Sequence, residues 1–362
     1  MEILLVVGTR PQIVKSVPVI REAKKTEIEL KIVHTGQHYD YDMSDVFFEN
    51  FSVRRPVVNL GIGSGTHGYQ TGETILRLER FLGEERPDLV LVPGDTNSAL
   101  GAAIAAAKMH IPLAHIEAGA RSYSMEMQEE INRRIIDHVS SLLFAVSDKC
   151  KENLSRESVL GEVIISGDTM YDIYKQSLPK IEDSEVVNRF TLSPRDYLVL
   201  TLHREENVEN SERLKNIMQA ITSLKLKVVF PIHPRTNKTL QSPSVSSSNL
   251  MIVEPLDYFS MMKLVRESLL VLTDSGGLQK EAFWSNVPCI TLRDETEWGE
   301  TVKEGANRIV GASSVKIKEA VNFVIQNYDN ETARMRIAGN PYYFGGAGRI
   351  ITKGLTDFLK RS

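Results

Sequence analysis

Residues 272–281, Leu-Thr-Asp-Ser-Gly-Gly-Leu-Gln-Lys-Glu, hold the residue types best suited to binding an anion. The apolar run before them predicts a buried strand, and residues 278–284 predict a helix. Between the two lies a turn made of Ser275, Gly276 and Gly277. Free N–H groups at a helix start bind anions, and glycines allow a close approach. Because Glu281 follows one turn later, a phosphate that carries a sugar fits the pattern, although many such turns bind nothing.

Charged residues follow several predicted strands in the first half of the chain. Arg10 and Lys15 come after the first strand, where they suit phosphate or carboxylate, although exposed cations near a turn are equally common. Asp95 follows the third strand, Glu117 follows the fourth, and Glu129 lies at the start of a predicted helix. Asp95 also suits a helix cap, and Glu129 suits the helix dipole. Glu117 has less structural reason for its position.

The second half of the chain adds imidazole and guanidinium groups at strand ends. His203 follows the first strand of this half, and the His-Pro-Arg segment at residues 233–235 follows the next. Each histidine alone would more often be structural, but both fall at the same predicted sheet edge as the Ser-Gly-Gly turn. Carboxylates that face a bound sugar or phosphate indicate acid–base chemistry.

Motifs disfavour two enzyme classes. The segment at residues 8–11, Gly-Thr-Arg-Pro, is not the Gly-x-Gly-x-x-Gly turn of nicotinamide enzymes, and the chain has no Gly-Lys-Ser/Thr loop of an NTPase. Cys150 and Cys289 are the only cysteines and lie far apart, so they supply neither a metal site nor a disulfide framework. We therefore expect no metal and no cofactor.

Parallel sheets must position these residues. The predicted strands lie at residues 3–7, 30–34, 89–92, 113–116, 142–145 and 163–166, and then at 197–202, 227–230, 251–253, 269–272, 288–292 and 308–310. Apolar strands that alternate with helices predict an α/β fold, with two Rossmann-like domains whose parallel sheets face a central cleft. The predicted domains are residues 1–167 with 349–362, and residues 168–348. Ligands collect at the carboxyl ends of such strands, where the polar residues fall.

Composition limits the function classes further. The 362 residues are 42% hydrophobic and 25% charged, as in a globular protein with two domains. A net charge of −4 without a basic block argues against binding to nucleic acid or to an anionic membrane. No apolar stretch reaches the length of a membrane span, and the first predicted strand leaves no export signal, so we expect a cytoplasmic protein.

The motifs, taken in order, resemble those of the non-hydrolysing UDP-N-acetylglucosamine 2-epimerases, which share the two-domain glycosyltransferase-B fold. They are GTRP (8–11), TGQH (35–38), GDT (94–96), HIEAG (115–119), EEINR (129–133), LHREEN (202–207), HP (233–234), TDSGG (273–277) and NPY (340–342). The resemblance covers nearly the whole chain, and so many motifs in one order are far more specific than any single motif.

This resemblance implies a role for each candidate residue. Ser275, Gly276 and Gly277 would hold the diphosphate, Glu281 the ribose hydroxyls, and Arg10 and Lys15 the phosphates and sugar. The catalytic set would be Asp95, Glu117, Glu129 and His203. In the family, a base removes the C2 proton while UDP leaves from C1 to give a 2-acetamidoglucal. UDP then adds back, and C2 is reprotonated from the other face.

Several positions depart from the family pattern. Gln12 and Lys280 each replace a glutamate, Trp298-Gly299 replaces Arg-Pro, and Gln128 replaces a proline before Glu129. These forms resemble a branch that epimerises UDP-2,3-diacetamido-2,3-dideoxyglucuronate. An extra cation at Lys280 suits an acidic sugar, unless it faces solvent. The same chemistry on that sugar is therefore the alternative to UDP-N-acetylglucosamine (UDP-GlcNAc).

Two other function classes compete with an epimerase. One is a UDP-sugar glycosyltransferase on the same fold, and the other is a non-catalytic sugar-nucleotide sensor, which the carboxylates disfavour. The resemblance also implies a homodimer and, as in some bacterial relatives, activation by a second UDP-GlcNAc. The residues that match this effector site are Gln37, His38 and Gln70.

Overall fold

The structure, a computed structural model, describes residues 1–37, 53–232, 247–342 and 345–361. The chain divides into two compact units, Met1–Lys175 with Pro341–Ser362, and Gln176–Asn340. Each unit contains one parallel sheet with helices packed against it, which confirms the predicted α/β class.

The first unit is built on a seven-stranded sheet in the order β3-β2-β1-β4-β5-β6-β7. Its strands are β1 (Glu2–Val7), β2 (Glu29–His34), β3 (Val58–Asn59), β4 (Leu89–Pro93), β5 (Leu113–Ala118), β6 (Leu142–Ala145) and β7 (Glu162–Ile165). Every described pairing of neighbouring strands is parallel. The central strands β1, β4 and β6 are almost wholly buried, as expected for a parallel sheet with helices on its faces.

Helices from both ends of the chain pack on this sheet. They are α1 (Arg10–Ala23), α2 (His67–Glu85), α3 (Asn97–Lys108), α4 (Gln128–Val139), α5 (Asp148–Arg156), the first half of α6 (Thr169–Glu182), and the C-terminal helix (Ala347–Leu359). The small alanines of α3 form one core with β1, β4 and α2. The C-terminal helix packs on α1, where a side chain in place of Gly348 would lie 2.7 Å from the backbone of Pro18.

The second unit repeats the plan with a six-stranded parallel sheet in the order β10-β9-β8-β11-β12-β13. Its strands are β8 (Tyr197–Thr201), β9 (Lys227–Pro231), β10 (Leu250–Val253), β11 (Leu270–Thr273), β12 (Cys289–Thr291) and β13 (Asn307–Ile309). Its helices are α7 (Val186–Arg189), α8 (Glu205–Val208), α9 (Ser211–Thr222), α10 (Tyr258–Glu267), α11 (Gly276–Trp284), α12 (Gly299–Lys303), α13 (Ser314–Gln326) and α14 (Tyr328–Ala338). Leu200, Ile217 and Phe230 lie at the centre of its core.

Each sheet reverses its strand order once, between β1 and β4 in the first unit and between β8 and β11 in the second. Open α/β sheets bind ligands outside the carboxyl ends of the strands at such a point. The segments that carry Arg10, Asp95, His203 and Ser275 follow these four strands. Each group of candidate residues therefore lies at the switch point of its own unit.

The sequence predicts the strands closely and the unit boundaries less so. All twelve predicted strands are present with ends within two residues, whereas β3, a two-residue edge strand, shows no pattern to detect. Residues 168–175 and 341–348, which the sequence pattern assigns to the second domain, lie in the first unit. The reason is a pair of long-range hydrogen bonds: Asp168 N donates to Tyr342 O at 2.9 Å, and Gly348 N donates to the Asp172 carboxylate at 2.9 Å.

None of the helices in the described part of the chain has both the length and the apolar character needed to cross a membrane. Cys150 and Cys289 are buried free thiols. Burial raises the pKa of Cys289 to about 12, so this thiol stays protonated and unreactive.

Candidate functional site

Lys15 and Glu117 form an ion pair at the switch point of the first unit. Lys15 projects from the second turn of α1, and Glu117 lies near the end of β5. Their side chains are only 20% and 10% exposed, so the partner cation fixes where the carboxylate points. The structure thus brings together two residues that the sequence places 102 positions apart.

The backbone of Glu117 is itself unusual. Its φ is +73°, and the pairing of β5 with β6 shifts register between Ile116 and Ala118. Such a conformation costs a non-glycine residue about 1–3 kcal/mol, and the surrounding structure must hold it in place. Gly94 lies next to the pair, because a side chain there would come 3.4 Å from Lys15 Nζ and 3.8 Å from Glu117 Oε2.

Asp95 is held in place by α4. Arg133 Nη2 donates to Asp95 Oδ2 at 2.7 Å, and Asn132 Nδ2 donates to the backbone oxygen of Asp95 at 2.8 Å. The capping role considered from sequence belongs to the next residue, since Thr96 Oγ1 accepts from Ala99 N at the start of α3. With its side chain 30% exposed, Asp95 keeps its carboxylate at the surface of the unit.

Glu129 and Glu130 are neighbours in the first turn of α4 but differ in environment. Glu130 is fully buried, and its carboxylate accepts from Ser122 N at 2.9 Å and from Arg134 Nε at 3.0 Å. Glu129 is partly exposed. Glu130 therefore has a structural role, and Glu129 remains the accessible candidate of the two.

A buried chain of charges, absent from the predicted site, lies behind these residues. His115 Nδ1 lies 2.6 Å from Asp137 Oδ1, and Arg121 Nη2 lies 2.7 Å from Asp137 Oδ2. Arg121 also bonds Glu157. Burial alone would raise the pKa of Asp137, but His115 and Arg121 outweigh it and hold that pKa below its ordinary value.

Asp274 organises the switch point of the second unit. Its fully buried carboxylate accepts from the backbone N–H groups of His203 and Arg204 at 3.0–3.1 Å and from Asn207 Nδ2 at 3.2 Å. Its Oδ1 also lies 3.0 Å from Nδ1 of the half-exposed His203 ring. Burial would raise the pKa of Asp274, but these donors, His203 first, lower it below the ordinary value.

The Ser-Gly-Gly turn begins helix α11, as predicted, although the helix starts at Gly276 rather than at residue 278. Ser275 is the N-cap, and its Oγ accepts from Leu278 N at 3.4 Å. Gly276 is sterically required, because a side chain there would lie 2.3 Å from Glu297 Oε1 and 3.3 Å from Trp298 Nε1. Glu297 is fixed in turn by buried Arg293, at 2.9 Å.

The position of Lys280 decides one of the two possibilities that the sequence leaves open. The side chain does not face solvent, since the residue is 1% exposed, and its ammonium lies 3.7 Å from the centre of the Trp298 ring. A cation over an aromatic face is attracted by the ring quadrupole. Lys280 therefore packs inside the unit against Trp298, which stands where the family has the arginine of its Arg-Pro pair. Glu281, the predicted ribose ligand, is 8% exposed on α11.

The two glycines of the turn should tolerate substitution differently. Gly276→Ala is expected to destabilise the second unit by about 1–3 kcal/mol, because the new methyl group overlaps Glu297. Gly277→Ala is the matched control, since its methyl group would lie 4.0 Å from the nearest atom, Ser275 Oγ. Thermal unfolding of both variants measures the difference, and equal melting temperatures would contradict the close contact with Glu297.

Two of the three predicted effector residues, Gln37 and Gln70, lie by the start of α3. Gln37 Oε1 accepts from Ser98 Oγ at 2.6 Å, and Gln70 Oε1 accepts from Asn97 Nδ2 at 2.8 Å. His38 lies outside the described residues, as does the His-Pro-Arg segment. Nothing in the described part of the chain groups three or more His, Cys, Asp or Glu side chains in a way that would hold a metal ion.

Three groups that support the site were missed from sequence: Arg133, the His115–Asp137–Arg121 chain, and Asp274. Arg133 and His115 do lie inside recognised motifs, where the acidic residues drew the assignment. Helical spacing offered a further signal, because Arg133 falls one turn after Glu129 and Glu130 on α4. In the sequence, Asp274 is only the polar residue that follows strand β11. Its importance comes from five contacts that the structure shows.

Comparison with known proteins gives a consistent result. A family model described as UDP-N-acetylglucosamine 2-epimerase matches residues 21–356. The chain is 43% identical over 369 residues to the UDP-N-acetylglucosamine 2-epimerase of Methanocaldococcus jannaschii, covering 98% of this chain and 99% of that protein. It is 40% identical over 334 residues to the UDP-2,3-diacetamido-2,3-dideoxy-D-glucuronate 2-epimerase of Pseudomonas aeruginosa, covering 88% and 91%.

Solved structures agree on the fold. The crystal structure of the Methanocaldococcus jannaschii enzyme in complex with UDP-GlcNAc and UDP superposes with a TM-score of 0.90 at 42% identity, covering 99% of this chain and 100% of that one. The calicheamicin glycosyltransferase CalG4 has a TM-score of 0.61 at 14% identity, with 99% and 98% covered. At that identity the likeness shows the fold alone, and it confirms the glycosyltransferase-B type.

Proposed function

The chain belongs to the UDP-N-acetylglucosamine 2-epimerase family, and from this premise we propose that it converts UDP-GlcNAc to UDP-N-acetylmannosamine (UDP-ManNAc) without hydrolysis. The reaction removes the C2 proton as UDP leaves from C1, and the resulting 2-acetamidoglucal takes UDP back. The observation that carries the proposal is the pairing of Glu117 with Lys15 on a strained backbone beside Asp95. Acid–base carboxylates are what proton transfer at C2 requires.

The first unit supplies the proton chemistry in this proposal. Inversion needs a proton removed from one face of C2 and delivered to the other, so two acid–base groups are required. Glu117 and Asp95 are the first two candidates, each fixed by a cation, Lys15 or Arg133. Glu129 is the third, because it is accessible whereas Glu130 is buried. Arg10, on the first turn of α1, adds positive charge for the leaving phosphate.

The second unit supplies the nucleotide site in this proposal. Helix α11 starts at Gly276, so the N–H groups of its first turn, which includes Gly276 and Gly277, offer donors to a diphosphate beside the N-cap Ser275. The same donors stabilise UDP as a departed leaving group, which must stay bound to add back. His203 contributes an imidazole whose Nδ1 side is fixed by Asp274, and Glu281 is assigned to the ribose hydroxyls.

The choice between the two candidate sugars depends on Lys280 and on sequence similarity. Lys280, which sequence suggested either as a partner for an acidic sugar or as a solvent-facing cation, is buried against Trp298, so solvent exposure is excluded. Similarity does not separate the two substrates, at 43% and 40% identity to relatives named for each. We propose UDP-GlcNAc first and the diacetamido uronate as the alternative.

Incubation with UDP-GlcNAc alone, followed by chromatographic separation of the sugar nucleotides, tests the activity. An epimerase converts part of the substrate to UDP-ManNAc, conserves the total UDP-sugar and needs no acceptor. A glycosyltransferase would instead lose sugar nucleotide only when an acceptor is added, and a sensor would bind UDP without turnover. If neither UDP-GlcNAc nor the diacetamido uronate is epimerised, the proposal is wrong.

Three further expectations belong to the same proposal. Gln37, His38 and Gln70 are assigned to a second UDP-GlcNAc molecule that activates the enzyme. Rates that rise hyperbolically with the UDP-GlcNAc concentration would exclude this activation.

A homodimer is expected from the family, and sedimentation velocity tests it. The expected location is the cytoplasm, which cell fractionation tests.

A further inference from the structure

His115 is a buried imidazole with an acceptor on each side. The residue is 0% exposed, its Nδ1 lies 2.6 Å from Asp137 Oδ1, and its Nε2 lies 2.9 Å from the backbone oxygen of Gly94. A backbone oxygen can only accept a hydrogen bond, and so can an ionised carboxylate. Asp137 is held as a carboxylate independently of His115, because its Oδ2 pairs with Arg121 Nη2 at 2.7 Å and accepts from Gly119 N at 3.1 Å. Both ring nitrogens of His115 therefore face hydrogen-bond acceptors.

We propose that His115 carries a proton on both ring nitrogens and is a positioning residue that fixes the acid–base group Glu117. The inference rests on the proposed function, because Glu117 has its role only in that reaction. His115 acts on the site by two separate bonds, one to the Gly94 turn and one to Asp137. Neither bond touches a substrate, so His115 works through the residues that do.

The first bond fixes the Gly94 turn. Gly94 has φ +68° and precedes Asp95, and its Cα faces both Lys15 Nζ and Glu117 Oε2. A turn in this conformation has other low-energy states open to it, because glycine is permissive. The ring Nε2–H of His115 donates to the Gly94 carbonyl oxygen and keeps it pointing into the interior. That bond keeps the turn against the Lys15–Glu117 pair.

The second bond fixes the backbone on both sides of Glu117. Asp137 Oδ1 accepts from His115, two residues before Glu117, while Asp137 Oδ2 accepts from Gly119 N, two residues after it, at 3.1 Å. One carboxylate therefore spans the strained residue with φ +73°. A backbone in such a conformation persists only when its surroundings fix it.

The charges that face His115 explain how a cation is tolerated in the interior. Asp137 on α4 is the carboxylate in contact with the ring, and it is shared with Arg121, which pairs with Glu157 on α5. Positive and negative groups alternate in the series His115, Asp137, Arg121 and Glu157. A positive charge on His115 is therefore paired with the carboxylate of Asp137. A buried charge is stable only when it is paired and hydrogen-bonded in this way.

Nitrogen NMR of the intact enzyme, labelled with ¹⁵N-histidine, tests the charge without reference to activity. The chain has eight histidines, and the signal that disappears in His115→Gln identifies the ring. At the pH of the activity assay, both nitrogens of His115 should be protonated. One unprotonated ring nitrogen would overturn the proposal, and this result is independent of which sugar nucleotide the enzyme uses.

Two substitutions test positioning. Asparagine places an amide near Nδ1 only, so His115→Asn loses the bond to Gly94, whereas His115→Gln can reach it. Because each variant keeps only one of the two bonds, we expect each to lower kcat, by about 10²-fold for His115→Asn, with little change in KM or UDP affinity. Equal kcat for wild type and His115→Asn would overturn the inference, while the proposed function would survive.

A control separates positioning from loss of stability. Tyr197→Phe removes a buried hydrogen bond to Leu264 O in the other unit, so it lowers the melting temperature without touching the acid–base residues. Its kcat, measured well below the melting temperatures of all variants, should match wild type. If the kcat of Tyr197→Phe falls as far as that of His115→Asn, the effect is structural and the proposal fails. If His115→Asn does not fold, His115→Gln decides: a lower kcat with unchanged KM supports the proposal, and the kcat of wild type overturns it.

Discussion

Replacing Glu117 by glutamine is expected to lower kcat by about 10²–10⁴-fold, the loss usual for an acid–base group. Glutamine keeps the size of the side chain but cannot exchange a proton with C2. The charge that pairs with Lys15 is lost as well. UDP binds through the other unit in the proposed function, so its dissociation constant should stay within a few-fold of wild type. Turnover assays and titration calorimetry with UDP measure the two quantities.

Glu152→Gln is the control for this variant. Glu152 is an exposed carboxylate on α5 paired with Lys149, and its replacement should leave kcat unchanged. If Glu117→Gln loses UDP affinity in parallel with turnover, Glu117 holds the ligand or the fold and has no acid–base role. Full activity in Glu117→Gln would exclude it from the reaction.

Replacing Asp274 by asparagine is expected to destabilise the second unit by about 3–5 kcal/mol. All the groups around this buried carboxylate are donors or a histidine nitrogen, so an amide NH₂ in its place meets donors on every side. The His203 ring also loses its fixed orientation. Urea unfolding measures the stability. Asp294→Asn is the matched control, because that carboxylate is 71% exposed and should contribute less than about 1 kcal/mol.

The pH dependence of this effect has a defined sign. Because the pKa of Asp274 is lower in the folded protein, the stability it contributes is fully present above the ordinary aspartate pKa of about 3.9. That stability is lost as the pH falls through the folded-state pKa. Wild type should therefore lose stability in acid, and Asp274→Asn should lose less over the same interval. Identical acid profiles for the two proteins would contradict the role of Asp274.

The fold was predictable because parallel strands buried on both faces are apolar runs, which the sequence shows directly. Strand β3 was not predicted, because two residues, Val58–Asn59, are too few to show any periodicity. The division between units also escaped, since it depends on bonds such as Gly348 to Asp172, which join residues 176 positions apart. No local pattern contains such a contact.

The site was predictable in its residue types but not in its contacts. The sequence places Asp95, Glu117 and Ser275 at the carboxyl ends of predicted strands, whereas the strand order that makes these ends switch points comes from the structure. Sequence does not show that Arg133 pairs with Asp95, since that depends on how α4 packs. Nor does it show that Lys280 is buried, because its partner Trp298 comes from a loop 18 residues later.

Proton NMR of UDP-GlcNAc incubated with the enzyme in D₂O tests the central claim most directly. Removal and return of the C2 proton predicts that UDP-ManNAc appears with deuterium at C2, and that UDP-GlcNAc slowly gains it as well. Glu117→Gln should nearly abolish both signals of exchange. UDP-ManNAc formed with its original C2 proton would contradict the mechanism. The absence of exchange and of manno product, with both UDP-GlcNAc and the diacetamido uronate, would contradict the function.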